Sequence, residues 1–295
     1  MSPEIKPNID LISARIEGGE IQRYKFTVEA TRHRCTVVLD GLEGILEVRK
    51  SSDSEGLQLS SNRPGIKWLS FDAEPGEYEI AIQNGEAASD HEIYVVAANS
   101  EAPNILHGKF TPPLEGMALT TEEYGHLGDP WGNSEEAPYL KGPEGREDFY
   151  KKYFHLGADF IAAPGTPVCA VANGKVVKVG HSGDEWGYHV VVEHSFEGED
   201  GESKIITVVY EHLQEEGRPE LGAELKAGQK IGKIWDMNVP GEVPHLHLCA
   251  HEGQMTTSSE EVIGSTAGAA HFRKLAVGLK RFINVADPKL YTPLS

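Results

Sequence analysis

The feature that most constrains the fold of this chain is a series of short strand-like segments separated by turn residues. In residues 20–97, apolar and polar side chains alternate between turn signals such as Gly18-Gly19 and Asn84-Gly85. The predicted strands are 22–28, 35–39, 44–49, 66–71, 78–83 and 92–96. Regular short strands joined by turns are typical of an all-β sandwich. We therefore predict a β-sandwich accessory domain over residues 1–98.

A second region of strands follows a stretch rich in proline. Residues 99–150 combine several prolines with scattered Asp and Gly, which predicts a linker that becomes surface loops. Strand signals resume after it, at 167–172, 175–179, 188–194, 205–212, 230–235 and 245–251. Residues 260–280 are rich in Ala and Leu and favour a helix. This pattern predicts a second domain over residues 151–295.

Charge and composition exclude several classes of protein. The chain has 27 Lys and Arg against 46 Asp and Glu, and its formal net charge of -19 repels phosphate backbones. We therefore expect no nucleic-acid partner. No stretch approaches the roughly 18 apolar residues of a transmembrane helix, and residues 1–7 lack the apolar region of a secretory signal. The three cysteines lie outside any CxxC spacing, so a disulfide scaffold is not expected.

Three histidine clusters carry the candidate chemistry. His155 is followed four residues later by Asp159, and His212 lies at the end of a predicted strand. His245 and His247 lie within one strand, where the alternation of side chains puts both imidazoles on the same face. Two such rings can bind one metal ion, or they can divide the work between a metal and a substrate.

A catalytic zinc ion could take its protein ligands from two histidines and one aspartate. Such a site takes three protein ligands with nitrogen or carboxylate oxygen donors and leaves the fourth position to water. The metal can then polarise a carbonyl group and acidify the water. An isolated HxxxD or HxH pattern is common by chance, so the order and context of the clusters decide their meaning.

That order and context resemble the lysostaphin-type zinc endopeptidases of the bacterial cell wall. The similarity runs from His155 to His251, and Asp287-Pro288 is similar to the usual ending of the family. The segments that carry it are His155–Asp159, Ala162–Val168, Ala172–Val177, Gly187–Val192, Tyr210–Leu213, Gly228–Gly232 and Pro244–Leu248. The N-terminal segments Tyr24–Val28 and Pro75–Ile82 resemble the pre-peptidase β-sandwich modules of secreted bacterial proteases.

The resemblance implies a fold, a cofactor and a role for each histidine. It implies a C-terminal antiparallel β-sheet groove of the duplicated hybrid-motif type, with one zinc ion per chain held by His155, Asp159 and His247. His212 and His245 match the two residues that help the attacking water and stabilise the oxyanion. The implied partners are peptidoglycan peptides, cleaved in the stem peptides or a cross-bridge. The implied location is periplasmic or extracellular, while the oligomeric state stays open.

The chain departs from the family pattern at several positions. Asn238–Pro244 stands where members commonly carry Thr-Gly-x-Ser-Thr-Gly-Pro, which alters one wall of the groove. Leu248-Cys249 replaces the Phe-Glu pair that often follows HxH, and Cys249 shares a strand face with His245. The long segment 252–280 intervenes before Asp287-Pro288 and can form a lid or a surface insertion without a role in catalysis.

A tyrosine that acts as an electrophile sometimes lies shortly before the HxxxD motif. Tyr150 and Tyr153 are the candidates in this chain, although packing is the simpler explanation for a tyrosine at either position.

Three rival functions have to be weighed against a zinc peptidase. The first is a non-catalytic member of the same fold that binds the cell wall or activates another hydrolase, but such relatives typically lose the metal ligands. The second is a phosphocarrier on a related barrel, which Asp159 disfavours because a carboxylate repels a phosphoryl group. The third is a lectin-like wall adhesin in which the sandwich binds glycan. Zinc content separates the catalytic interpretation from all three.

Overall fold

A computed structural model of the chain confirms the predicted fold class: the protein is mainly β, with an N-terminal sandwich and a C-terminal antiparallel sheet. The structure describes residues 2–292 except for 8–9, 30–32, 42–43, 54–56, 62–66, 100–101, 116–128, 131–152, 156, 185, 199–200, 238–242, 255–264 and 268–281. Most of the predicted linker 99–150, including Tyr150, and most of segment 252–280 therefore lie outside the described residues.

The N-terminal region forms a sandwich of two antiparallel sheets. Its strands are β1 (Leu11–Ile16), β2 (Ile21–Val28), β3 (His33–Asp40), β4 (Gly44–Lys50), β5 (Leu57–Ser61), β6 (Lys67–Ala73), β7 (Gly76–Asn84) and β8 (Ser89–Asn99). One sheet has the order β1-β8-β3-β6 and the other the order β2-β7-β4-β5. The predicted strands all appear here, and β1 and β5 are additional strands that the sequence pattern did not indicate.

Alternating side chains build the core between these two sheets. In β7, Tyr78, Ile80 and Ile82 are buried while the residues between them are more exposed. Phe26 from β2 stacks on Tyr78 with 5.1 Å between ring centroids. These side chains belong to one apolar cluster that takes residues from both sheets, which is the arrangement expected of a sandwich.

The C-terminal region is built around one large antiparallel sheet. Its strands are β9 (Asp129–Pro130), β10 (Tyr153–His155), β11 (Ala158–Ile161), β12 (Pro167–Cys169), β13 (Gly174–Gly183), β14 (Gly187–Glu197), β15 (Ser203–Leu213), β16 (Glu224–Leu225), β17 (Lys230–Lys233), β18 (His245–Glu252), β19 (Ser265–Ala267) and β20 (Phe282–Ile283). The large sheet has the order β11-β18-β15-β14-β13-β16, with β20 paired to β18. It is curled into half a barrel.

The two faces of this sheet have different roles. One face contributes side chains such as Val190, Val208, Tyr210 and Leu248 to a second apolar cluster, separate from that of the sandwich. Because neighbours along a strand point to opposite faces, the residues between them form the other face. That other face carries the candidate site.

Part of the predicted linker contributes to this second core. Ala102, Leu106, Phe110 and Leu114 are buried in the C-terminal cluster, and Asn104–Leu106 forms a short 3-10 helix. The backbone N–H of Ala102 donates to the side chain of Asp287 at 2.8 Å. The described part of the linker is thus packed against the C-terminal sheet. The domain boundary at residues 98 and 99 stays a prediction.

The helix predicted over residues 260–280 is wrong at its described residues. Ser265–Ala267 forms β19, which pairs with β10 instead of coiling. Tertiary pairing overrides the helical propensity of Ala267 here. A short 3-10 helix does form near the end of the described chain, at Pro288–Leu290, with Asp287 accepting from the N–H of Lys289.

Among the described residues, no helix has the length and apolar character needed to cross a membrane.

A bulge interrupts the pairing of β14 with β15 at the end of the sheet. Tyr188 pairs with Leu213 and Val190 pairs with Tyr210, so the two residues between Tyr210 and Leu213 oppose one residue of β14. The second of the two, His212, has a φ of 63° and is the only non-glycine residue with a positive φ among the described residues. This left-handed backbone costs an L-residue roughly 1–2 kcal/mol.

The packing of the linker generates a prediction for truncated chains. A chain that begins at Glu101 keeps Leu106, Phe110 and Leu114 in the C-terminal core and is expected to fold without the sandwich. A chain that begins at Lys151 loses them, and removing a buried Leu or Phe side chain typically costs about 2–5 kcal/mol. Urea unfolding followed by circular dichroism checks this order of stability. Equal stability of the two chains would show that the linker packing contributes nothing.

The left-handed backbone generates a second prediction. At His212, glycine is expected to be more stabilising than alanine by about 1 kcal/mol, because glycine adopts a positive φ without steric cost. Urea unfolding of His212→Gly and His212→Ala measures the difference. Lys204, exposed on the same strand, is the matched control, since there the order should reverse. A more stable His212→Ala would contradict the left-handed conformation.

Candidate functional site

The pairing of β11 with β18 brings three of the predicted site residues together. In this register Asp159 lies opposite His247, and Ile161 lies opposite His245. Nδ1 of His247 is 3.0 Å from Oδ1 of Asp159, and Nε2 of His245 is 3.5 Å from the same oxygen. Both imidazoles are almost completely buried, whereas the Asp159 side chain is 20% exposed. The carboxylate therefore links the site to the surface.

The bulge in β15 brings the fourth predicted residue, His212, to the same place. Regular alternation would direct its side chain to the face of Tyr210, which is buried in the C-terminal core. Instead its ring centroid lies 4.8 Å from that of His245 and 6.1 Å from that of His247. Bulges often re-aim a side chain next to an active site, and this one adds a third imidazole.

Backbone carbonyls fix which nitrogen of His212 and His245 carries the proton. Nδ1 of His212 lies 2.9 Å from the oxygen of Trp186, and Nδ1 of His245 lies 2.7 Å from the oxygen of Val243. A carbonyl oxygen only accepts, so each Nδ1 donates and each neutral ring keeps an unprotonated Nε2. Burial and the two neighbouring histidines hold the pKa of His212 well below its usual range. Its Nε2 is therefore available as a proton acceptor at neutral pH.

A glycine explains how the chain passes between the two halves of the HxxxD motif. A Cβ at Gly157 would lie 2.8 Å from Nε2 and 2.9 Å from Cε1 of His247, too close for any side chain. Gly157, two residues after His155, therefore lies against the His247 imidazole. His155 itself ends β10, between β9 and β19, and its side chain lies outside the described part of the chain.

The donor atoms of Asp159 and His247 are spaced like two ligands of one metal ion. Two ligands about 2.0–2.2 Å from a tetrahedral zinc ion are separated by roughly 3.3 Å, and the 3.0 Å between His247 Nδ1 and Asp159 Oδ1 is close to that separation. Within the described residues, no three His, Cys, Asp or Glu side chains form a complete metal-binding group. The side chain of His155, the third predicted ligand, is not among those residues.

A buried carboxylate that the sequence analysis did not single out lies on the same face. Glu211 pairs with His247 in the register of β15 and β18. Its Oε1 accepts from the hydroxyl of Ser182 at 2.6 Å, and that hydroxyl lies 2.9 Å from Nδ1 of His189. Burial raises the pKa of Glu211, against the opposing effects of His247 and of the Ser182 hydrogen bond. The available signal was a charged residue inside an apolar strand, because such a residue needs a partner.

An aromatic surface borders the site next to His212. The Trp186 ring centroid is 5.5 Å from that of His212, and Tyr188 and Trp235 meet edge to face at 6.5 Å. The guanidinium of Arg218 lies 4.1 Å from the centre of the Tyr188 ring. All three aromatic residues are partly exposed, so they form a wall that a substrate can touch.

The remaining sequence candidates have less direct links to the site. Cys249 is fully buried, and burial raises the pKa of its thiol, so it is uncharged at neutral pH. Tyr153 lies in β10, but its side chain is outside the described residues. The altered groove wall 238–244 is described only at its last two residues.

The comparisons with known proteins match the C-terminal region to one peptidase family. Residues 153–258 match the family model described as Peptidase family M23. No curated protein matches the chain. Among solved structures, the chain is similar to the catalytic domain of the antimicrobial peptidase lysostaphin from Staphylococcus simulans. That similarity has 25% identity, covers 47% of this chain and 86% of that one, and has a TM-score of 0.31.

Two further structures show weaker similarity. A catalytic-domain variant of the prophage-encoded M23 protein EnpA from Enterococcus faecalis is 24% identical, covering 45% of this chain and 84% of that one, with a TM-score of 0.29. The pre-peptidase C-terminal domain of a collagenase from Bacillus anthracis is 18% identical, covering 32% of this chain and 94% of that one, with a TM-score of 0.29. The family match spans the histidine and aspartate motifs that carried the sequence resemblance, and it confirms that residues 153–258 are similar to Peptidase family M23.

Proposed function

We propose that this chain is a zinc-dependent endopeptidase that hydrolyses peptide bonds of peptidoglycan, in stem peptides or in cross-bridges. The match to Peptidase family M23 supports peptide hydrolysis. The observation that carries the finer proposal is the meeting of Asp159, His247, His245 and His212 on one face of the sheet. A peptidoglycan substrate would place the protein in the periplasm or outside the cell.

His155, Asp159 and His247 are the proposed ligands of one zinc ion per chain. The 3.0 Å separation of the His247 and Asp159 donor atoms supports two of them. The third is supported by Gly157, which lies against the His247 ring only two residues after His155. When bound, the metal would supply a Lewis acid for the scissile carbonyl group and lower the pKa of a bound water.

His212 and His245 would handle the protons of the reaction. Each offers an unprotonated Nε2, because a backbone carbonyl holds the proton on Nδ1. Nε2 of one ring can accept the proton of the attacking water, and the resulting imidazolium can pass it to the leaving amine. While protonated, the ring also stabilises negative charge on the carbonyl oxygen. The same carbonyl contacts keep each ring in one orientation throughout.

The proposed ligand set predicts the metal content of variants. The wild-type protein is expected to hold about one zinc ion per chain, and His155→Ala, Asp159→Ala and His247→Ala are expected to lose it, since each removes one of three ligands. Inductively coupled plasma mass spectrometry after purification without added metal measures the content. His181→Ala, a partly exposed histidine on β13, is the matched control and should keep its zinc.

A wild-type protein that contains no zinc and takes up none would contradict the catalytic proposal. If that protein still bound peptidoglycan, a non-catalytic wall-binding or hydrolase-activating role would be supported instead.

The proposed roles of the two accessory histidines predict a different outcome. His212→Ala and His245→Ala should keep zinc but lose activity by on the order of 10²-fold or more, which is the usual scale of general acid and base catalysis. Turnover of a soluble stem peptide and of purified peptidoglycan, with zinc measured in the same samples, checks both parts. His251→Ala, on the same strand as His245, should change neither. Loss of zinc in His245→Ala would instead make His245 a ligand.

A further inference from the structure

The buried carboxylate of Glu211 has no role in the proposed proton transfers, yet its residue lies opposite the proposed ligand His247 in the sheet. β18 lies between β11 and β15 in the sheet. Asp159 pairs with His247 on one side of that strand, and Glu211 pairs with His247 on the other. Residues directly opposite each other in an antiparallel sheet share a face. The His247 imidazole is therefore flanked by one carboxylate on each neighbouring strand.

A directional hydrogen-bond chain holds Glu211 in this position. The Ser182 hydroxyl has one hydrogen, which it donates to Oε1 of Glu211 at 2.6 Å. Ser182 must then accept from Nδ1 of His189, 2.9 Å away. The His189 ring packs on Gly180, where a Cβ would lie 2.5 Å from two ring atoms. Residues on three neighbouring strands thus orient one carboxylate.

Burial makes this arrangement unfavourable unless a positive charge compensates it. Glu211 is only 4% exposed, and its neighbour along the same face, Cys249, is fully buried and uncharged. A buried carboxylate needs both hydrogen bonds and a compensating charge. His247, the Ser182 hydrogen bond and Lys178 favour the charged carboxylate, whereas burial and the Asp159 carboxylate oppose it. A divalent cation at the Asp159 and His247 donors would add to that positive charge.

We propose that Glu211 is a positioning residue that strengthens binding of a divalent cation at the Asp159 and His247 donors. This inference rests on the proposed function and adds to it a second carboxylate outside the ligand set. The carboxylate of Glu211, opposite His247 in the sheet, favours a cation beside that imidazole. Ser182 and His189 act through Glu211 by holding its carboxylate against the sheet.

Zinc affinity of the full-length protein tests the proposal directly. Competition with a chromogenic zinc chelator gives the Kd of wild type and of Glu211→Gln, which keeps the size of the side chain and its acceptor for Ser182. We expect the Kd of Glu211→Gln to rise by about 10-fold or more, the usual effect of losing such a supporting group. Glu211→Asp, which keeps a carboxylate, should raise the Kd by a smaller factor. Glu224→Gln, exposed on β16 of the same sheet, should match wild type.

The outcomes separate this inference from the proposed function. If wild type binds zinc and Glu211→Gln binds it equally well, the role of Glu211 is overturned while the peptidase proposal stands. If wild type takes up no zinc at all, both fail. Should Glu211→Gln not fold by circular dichroism, Ser182→Ala is the second test, because it keeps the Glu211 carboxylate but removes its hydrogen bond. A zinc Kd unchanged in that variant would overturn the proposal.

Discussion

The antiparallel register between β11 and β18 is the constraint on which the site depends. It sets Asp159 opposite His247 with 3.0 Å between their donor atoms, and it keeps His245 within 3.5 Å of the same carboxylate. A shift of one residue would turn every side chain of β18 to the other face. The apolar residues Leu246 and Leu248 prevent that shift, because their side chains fill the C-terminal core. The packing of the core therefore fixes the geometry of the polar face.

A strained backbone adds what a regular strand could not supply. A straight β15 would send the His212 ring into the core, whereas the bulge and the φ of 63° turn it toward His245. The strain costs stability, and its persistence next to the site fits the general association of strained residues with function. The hydrogen bond to the carbonyl of Trp186 then secures the ring in its turned position.

Much of the fold was predictable from the sequence because alternation and turn residues are local signals. β7 and β18 appear where the alternating pattern predicted them. The packing of residues 102–114 was not predictable, since its apolar side chains are spaced irregularly among prolines and find their partners far along the chain. The strand at Ser265–Ala267 was missed for a related reason: its pairing with β10 depends on residues more than a hundred positions earlier. Local propensity carries no information about such distant partners.

The residues of the candidate site also differ in whether local sequence patterns predict them. Asp159, His245 and His247 could be found because their motifs are short and their order along the chain is specific, and the structure brings them together. Glu211 could not be found in this way, because Ser182, His189 and Glu211 lie on three different strands and meet only through the register of the sheet. The family resemblance implies a Phe-Glu pair after HxH, and this chain has Leu248-Cys249 there instead. The register sets Cys249 beside Val209, one step along the same face from Glu211. A carboxylate absent from one strand is thus present on its neighbour, which a comparison of motifs along a single strand cannot reveal.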